Sequence, residues 1–255
     1  MSLIEVEGPF LSLPVLRAVW PTLDTLDKPT RQALRIAHAK WQESPAEHHD
    51  AWLDFVLREL TGWSDELLWS DSGLLEPLSL DVTEHDTRLT PSFALISPNS
   101  EVKPTTTHVL GIALQPGTHP TTRLKGDAWA ATPADRLARL CRHHGVQLGL
   151  ATDARWWTLV WAPRDEVTTT ATFDAIGWSE SAEQDIVRAF VSVLGRRRFF
   201  SVPDEEKLGA LLAESKHSQE DITEALGIQV RQAVELLVAA IGRADTAGGN
   251  AASAA

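Results

Sequence analysis

Apolar residues fall into helical and strand-like spacings in turn along the chain. Leu34, Ala37 and Trp41 share one helical face, which predicts a helix from about Pro29 to Gln42. Ser44-Pro45-Ala46-Glu47 reads as an N-cap, a proline at the first helical position and an early acid. The helix it opens would bury Trp52, Phe55, Val56 and Leu60 and stop at Gly62. Strand patterns follow. Leu78 to Val82 alternates, Phe93 to Ile96 is bounded by prolines, and Val109 to Leu114 is a continuous apolar run that fits a strand covered on both faces. Thr132-Pro133-Ala134-Asp135 supplies a cap, a proline and an acid for a helix that buries Leu137, Leu140 and Cys141 and ends at Gly145. Residues 146–151 and Trp156 to Trp161 are two strands, joined through Thr152-Asp153-Ala154-Arg155 as a hairpin. Thr168 to Phe173 is a further strand. Ser179 to Leu194 is a helix with Ile186, Ala189, Phe190 and Val193 inward. Residues 204–243 are amphipathic and helical.

These elements define an α/β (α+β) chain with a mixed central sheet flanked by helices and a C-terminal helical connector. Four segments are expected. Residues 1–74 form an N-terminal helical and strand segment packed on the core, and 75–200 the α/β core. Residues 201–243 form the connector, and 244–255 an Ala/Gly tail too poor in apolar residues to bury a core. No internal repeat is visible.

Composition narrows the class. Of 255 residues, 43% are hydrophobic and 23% charged, as in ordinary globular proteins. No apolar run approaches the ~18 residues of a membrane span. The first residues carry Glu5 and Glu7 and no basic region, so no signal peptide is expected. The single cysteine, Cys141, excludes a disulfide framework and fits a reducing cytoplasm. The net charge is −12, which argues against a nucleic-acid partner. That charge is localised, however. Residues 43–86 hold twelve Asp/Glu against one basic residue, Arg58, and the remainder is close to neutral.

The segment 126–140, GDAWAATPADRLARL, runs into 149–159, GLATDARWWTL. Together they resemble the N-terminal part of type IIG-like restriction–modification polypeptides and of phage-defence DNA methylases of the BREX and DISARM kinds. In those families a helix is followed by a "GLxTNGxxWxL"-like hairpin. The resemblance covers roughly residues 75–243, including 194–200, LGRRRFF, and a helical stretch from Val230. It implies a restriction-endonuclease-like fold of the PD-(D/E)xK type. That chemistry needs an Asp at the start of one strand and an acid-x-Lys on the next, which together hold Mg²⁺ and activate water. Here Ser92 stands at the Asp position, and Ile112 and Leu114 at the acid and Lys positions. A hydroxyl and two aliphatic side chains cannot assemble a Mg²⁺ site. No catalytic residue and no cofactor is therefore expected, and Mg²⁺ would enter only if carboxylates elsewhere took over. The methylase half is missing too. No Asn-Pro-Pro-Tyr/Phe signature exists in a chain with no Tyr and only Asn99 and Asn250. The chain reads as a stand-alone remnant, a split-gene subunit or a truncated reading frame.

The candidates for DNA contact are Arg123, Lys125, Arg136, Arg139, Arg196, Arg197 and Arg198, since guanidinium groups pair bidentately with phosphate. The competing reading is a solvated face paired internally with the acidic block. Asp81, Glu84, His85 and Asp86 form an acidic cluster, but its spacing matches no metal motif. His48-His49-Asp50 and His143-His144 are adjacent on helices and point apart, so no metal site is expected there. Of Trp156 and Trp157, one should face outward.

Three functional readings remain. The first is a catalytically degenerate module that docks on DNA or on a methylase or other restriction-system protein. The second is an active metal-dependent endonuclease with relocated carboxylates. The third is a structural subunit that never touches nucleic acid. No membrane partner is expected.

Overall fold

The computed structural model describes residues 4–8, 10–127 and 129–219. The chain is a mixed α/β structure built on one seven-stranded sheet. In chain order, β1 is Ile4–Glu7, α1 Leu13–Val19 and α2 Lys28–Glu43. Next, α3 is His49–Asp54 and continues into a π-helical turn at Phe55–Leu60, followed by β2 at Leu68–Trp69 and α4 at Ser72–Leu75. A small hairpin is made of β3 (Leu80–Val82) and β4 (Thr87–Leu89). Then come β5 (Phe93–Ile96), β6 (Thr107–Ala113), α5 (Pro133–His144), β7 (Leu148–Thr152), β8 (Trp156–Trp161) and β9 (Thr169–Asp174). The chain closes with α6 (Gln184–Leu194), α7 (Arg197–Phe200) and a helix whose described part is 208–219.

The sheet order is β1-β9-β8-β7-β6-β5-β2. Every pairing is antiparallel except β6 with β7. That parallel pair is joined by α5, because two parallel neighbours need a crossover. Both faces are covered. Phe93, Leu95, Val109, Leu150, Trp157, Leu159 and Phe173 point to one core, with α2, α3, α6 and Leu208 to Leu212 packed on them. Ala94, Ile96, Leu110, Ala151 and Val160 point to the other, beneath α5 and Leu75 and Leu78. The alternation is the period of two of a strand, here apolar on both sides.

Two glycines allow the close approaches. A Cβ on Gly111 would collide with the ring of Phe93, its partner across β5 and β6. One on Gly149 would meet Leu137 Cδ2 at 2.7 Å, so α5 can lie directly on β7. The exposed outer strand β1 carries Glu5 and Glu7, charges that discourage pairing with another chain at that edge.

The start of α5 follows the sequence reading. Thr132 Oγ1 accepts from Asp135 N, the Asp135 carboxylate accepts from Thr132 N, and Gly145 closes the helix at φ +71°. The hairpin of β7 and β8 also forms as expected. Other expectations shift. Pro45 does not open a helix, because Ser44 already ends α2 and its carbonyl accepts from Glu47 and His48 N in a turn; α3 begins at His49. The strand expected from Leu78 to Val82 starts only at Leu80, after a 3-10 turn at Glu76–Leu78. The helix expected from Ser179 begins at Gln184, behind a 3-10 turn at Ser181–Glu183. The strand expected somewhere within 1–74 takes the form of β1 and β2, whose positions were not anticipated, and β4 was not anticipated at all. β1 and β2 belong to the same sheet as the core strands. Of the expected connector, 208–219 is helical; 220–243 and the tail at 244–255 lie outside the described residues. No helix among the described residues is long and apolar enough to cross a membrane.

Candidate functional site

The ends of β6 and β7 lie side by side because the two strands are parallel, and the antiparallel β5 and β8 start at the same sheet end. Carboxyl ends of parallel strands are the usual place for ligands in open α/β sheets. The three positions singled out by the resemblance meet here. Ser92 precedes β5, and its N–H donates to Gly111 O at 2.7 Å. Its Oγ accepts from Ala113 N at 3.0 Å, between Ile112 and Leu114. Leu114 N donates to Thr152 O at 2.7 Å, which ties the end of β6 to β7. Ile112 packs against the core beneath α5. The strand arrangement brings Ser92 against the end of β6, but nothing in the set can ligate a hard cation.

Asp153 follows β7 at this end of the sheet and is 2% exposed. Its Oδ1 accepts from Arg155 N (3.0 Å) and Trp156 N (2.8 Å), and its Oδ2 from Gly117 N (3.0 Å). Both oxygens are thus engaged in holding the turn 152–156 and the loop after β6. Ala154, at φ 79°, makes the turn tight. Beside it, Trp156 is half-buried and Trp157 fully buried, so the outward residue of the pair is Trp156. The Arg155 guanidinium lies 4.4 Å from the Trp156 ring centroid and the His119 ring 4.7 Å from it. Arg155 is held in turn by a bidentate pair with Asp174 at 3.0 and 2.9 Å. That pairing raises the Arg155 pKa above its ordinary value.

The candidate DNA-contacting cations divide into two groups. Arg136 pairs with Asp127 at 2.6 Å, donates to Trp129 O, and sits 4.7 Å from the Trp129 ring centroid. Arg139 pairs with Glu84 of the acidic block. Hydrogen bonds from the two arginines hold Asp127 and Glu84 below the usual carboxylate range. His85 stacks on Trp129 at 4.6 Å, which ties the turn after β3 to the loop before α5. Arg196 lies 3.5 Å from Glu66. Arg198 is buried, its guanidinium carbon 4.3 Å from the Trp20 ring centroid and Nη1 3.7 Å from Glu206. Burial lowers its pKa below the ordinary arginine value. Arg123, Lys125 and Arg197 are exposed and make no ion pair among the described residues.

The acidic cluster is likewise engaged. Asp81 faces Arg88 across β3 and β4 at 2.6 Å, and Glu76 joins the same arginine. Asp86 supplies the left-handed turn residue of that hairpin, at φ 46°. Among the described residues, no three His, Cys, Asp or Glu side chains converge as a metal site would require. Cys141 is fully buried beneath β7, and desolvation pushes its thiol pKa well above the ordinary value, so it is an inert packing residue. No family model, curated protein or solved structure matches this chain.

Proposed function

We propose that this chain is a catalytically degenerate, restriction-endonuclease-like module of a restriction–modification or phage-defence methylase system, acting by docking on DNA or on a partner protein. The contact from Ala113 N to Ser92 Oγ carries this reading. The hydroxyl at the Asp position is spent on the adjacent strand, between two aliphatic residues at the acid and Lys positions. The residues present do not fit Mg²⁺, and no hydrolytic step is derived for them. The mixed sheet with a helical crossover is compatible with the nuclease-like expectation. Docking on DNA would fall to Arg123, Lys125 and Arg197, because Arg136, Arg139, Arg196 and Arg198 already have internal partners.

The test is incubation of the purified chain with plasmid DNA and Mg²⁺ or Mn²⁺. The expected result is no cleavage, with DNA retained at low salt and released steeply as salt rises. Absence of retention at low salt would assign docking to a protein partner. Robust cleavage that disappears on Asp81→Ala or Glu84→Ala would overturn the degenerate-site reading in favour of relocated carboxylates.

A further inference from the structure

A cavity lies away from the sheet end, between α2 and α6. It measures about 200 Å³. Arg31, Leu34 and Arg35 of α2 line one side, and Gln184, Val187 and Arg188 of α6 the other. Thr25, Leu26, Trp178 and Ser179 complete it. Three guanidinium groups line this cavity, and no carboxylate does.

The cavity is held in place from both sides. Arg188 donates through Nε to Asp24 O (3.1 Å) and through Nη2 to Leu23 O (2.9 Å). Asp24 N in turn donates to Ser192 Oγ at 2.8 Å. The loop before α2 is therefore pinned to α6, and Arg188 is fixed in orientation. Arg31 and Arg35, one helical turn apart, are exposed and form no ion pair among the described residues. Like charges at i and i+4 repel, and an anion placed between them relieves that repulsion. Two neighbouring acids lie outside the lining, and one of them, Asp27, attracts Arg31 electrostatically. Asp27 caps α2 by accepting from Thr30 N, and Asp185 is exposed and paired with Arg188 Nη1 at 2.9 Å. The other wall is apolar, from Leu26, Leu34, Val187 and the buried Trp178, whose indole N–H has no hydrogen-bond partner in the described structure.

We propose that the cavity between α2 and α6 binds a small phosphomonoester carrying a planar or apolar group, with Arg31 and Arg35 as the principal phosphate contacts. Paired guanidinium forks match the geometry of a phosphate dianion, and the apolar wall receives the rest of the ligand. Phosphate could also come from a nucleic-acid backbone, so the experiment must separate the two sources.

Isothermal titration of the full chain uses three probes: inorganic phosphate, AMP, and a short DNA duplex with 5′-hydroxyl ends. The expected result is one AMP site per chain, with free phosphate weaker and the duplex unable to displace AMP. Arg31→Ala and Arg35→Ala should each weaken AMP about tenfold or more without lowering the melting temperature. Arg17→Ala, an exposed cation on α1, should leave affinity unchanged. The proposal is overturned if AMP does not bind. It is equally overturned if binding survives in the Arg31→Ala Arg35→Ala double variant, or if the duplex competes for the site.

Discussion

His38 sits inside an aromatic cluster, 5.4 Å from the ring centroids of both Trp41 and Trp52, and is fully buried. Its Nε2–H donates to Ala175 O at 2.7 Å, which ties α2 to the chain just after β9. Desolvation lowers its pKa below the ordinary 6.5, despite the opposing effect of that hydrogen bond. His108 and His144 are lowered in the same direction, again chiefly by burial. The unfolded chain therefore binds more protons than the folded one once the pH drops toward 6.5. Stability is full above that value and declines as the pH falls through it and below. The melting temperature should fall from about pH 7 to about pH 5, a window set by histidine rather than carboxylate titration. The exposed acids whose pKa is lowered, such as Asp27 and Glu101, titrate from ordinary values of 3.8 and 4.5 and affect stability only in more acidic solution. A His38→Gln variant, melted across the same range, should show a shallower dependence. An unchanged slope would place the effect on the other histidines.

At the scale of elements, the turn between β7 and β8 is the joint on which the sheet end depends. One buried carboxylate, Asp153, satisfies three backbone N–H groups from two separate segments. Asp153→Ala leaves those donors unpaired and should cost about 3 kcal/mol, while Asp153→Asn, which keeps one oxygen, should cost less. Urea denaturation of the two variants measures the difference, and equal losses would contradict the assignment of Oδ2 to Gly117. This turn was legible in the sequence because its signals are local: a short polar run between two apolar strands. The start of α5 was legible for the same reason, since cap, proline and acid fall within four residues. The elements that escaped detection lack such signals. β2 is two residues long and β4 has three, and β1, though Ile4-Glu5-Val6-Glu7 alternates, is only four residues long on an exposed edge, too short a pattern to stand out. At Pro45 a local signal misled, because Ser44 was already committed to ending α2.

Over the whole molecule, the net charge of −12 means something different once the structure is known. The acidic block at 43–86 does more than coat one face with solvent. Its Glu84 takes up Arg139, its Glu66 faces Arg196, and its Asp54 and Asp65 hold Arg58. The positions of these charges were readable, but their pairing was not: Arg139 and Glu84 are 55 residues apart, and only the fold brings them together. The same holds for the cavity between α2 and α6. Arg31 and Arg35 are visible as like charges one turn apart, yet nothing local points to Arg188. The resemblance assigned Ser92, Ile112 and Leu114 to one motif, and in the fold Ser92 lies against the end of β6. On that meeting rests the claim that a nuclease-like arrangement persists without its metal chemistry.

Manganese binding tests that claim most directly, since Mn²⁺ replaces Mg²⁺ at oxygen sites and reports its own coordination by electron paramagnetic resonance. Titrated into the full chain, Mn²⁺ should show only weak, non-stoichiometric association. One tightly held Mn²⁺ per chain, lost on Asp153→Asn or Asp81→Ala, would contradict the account.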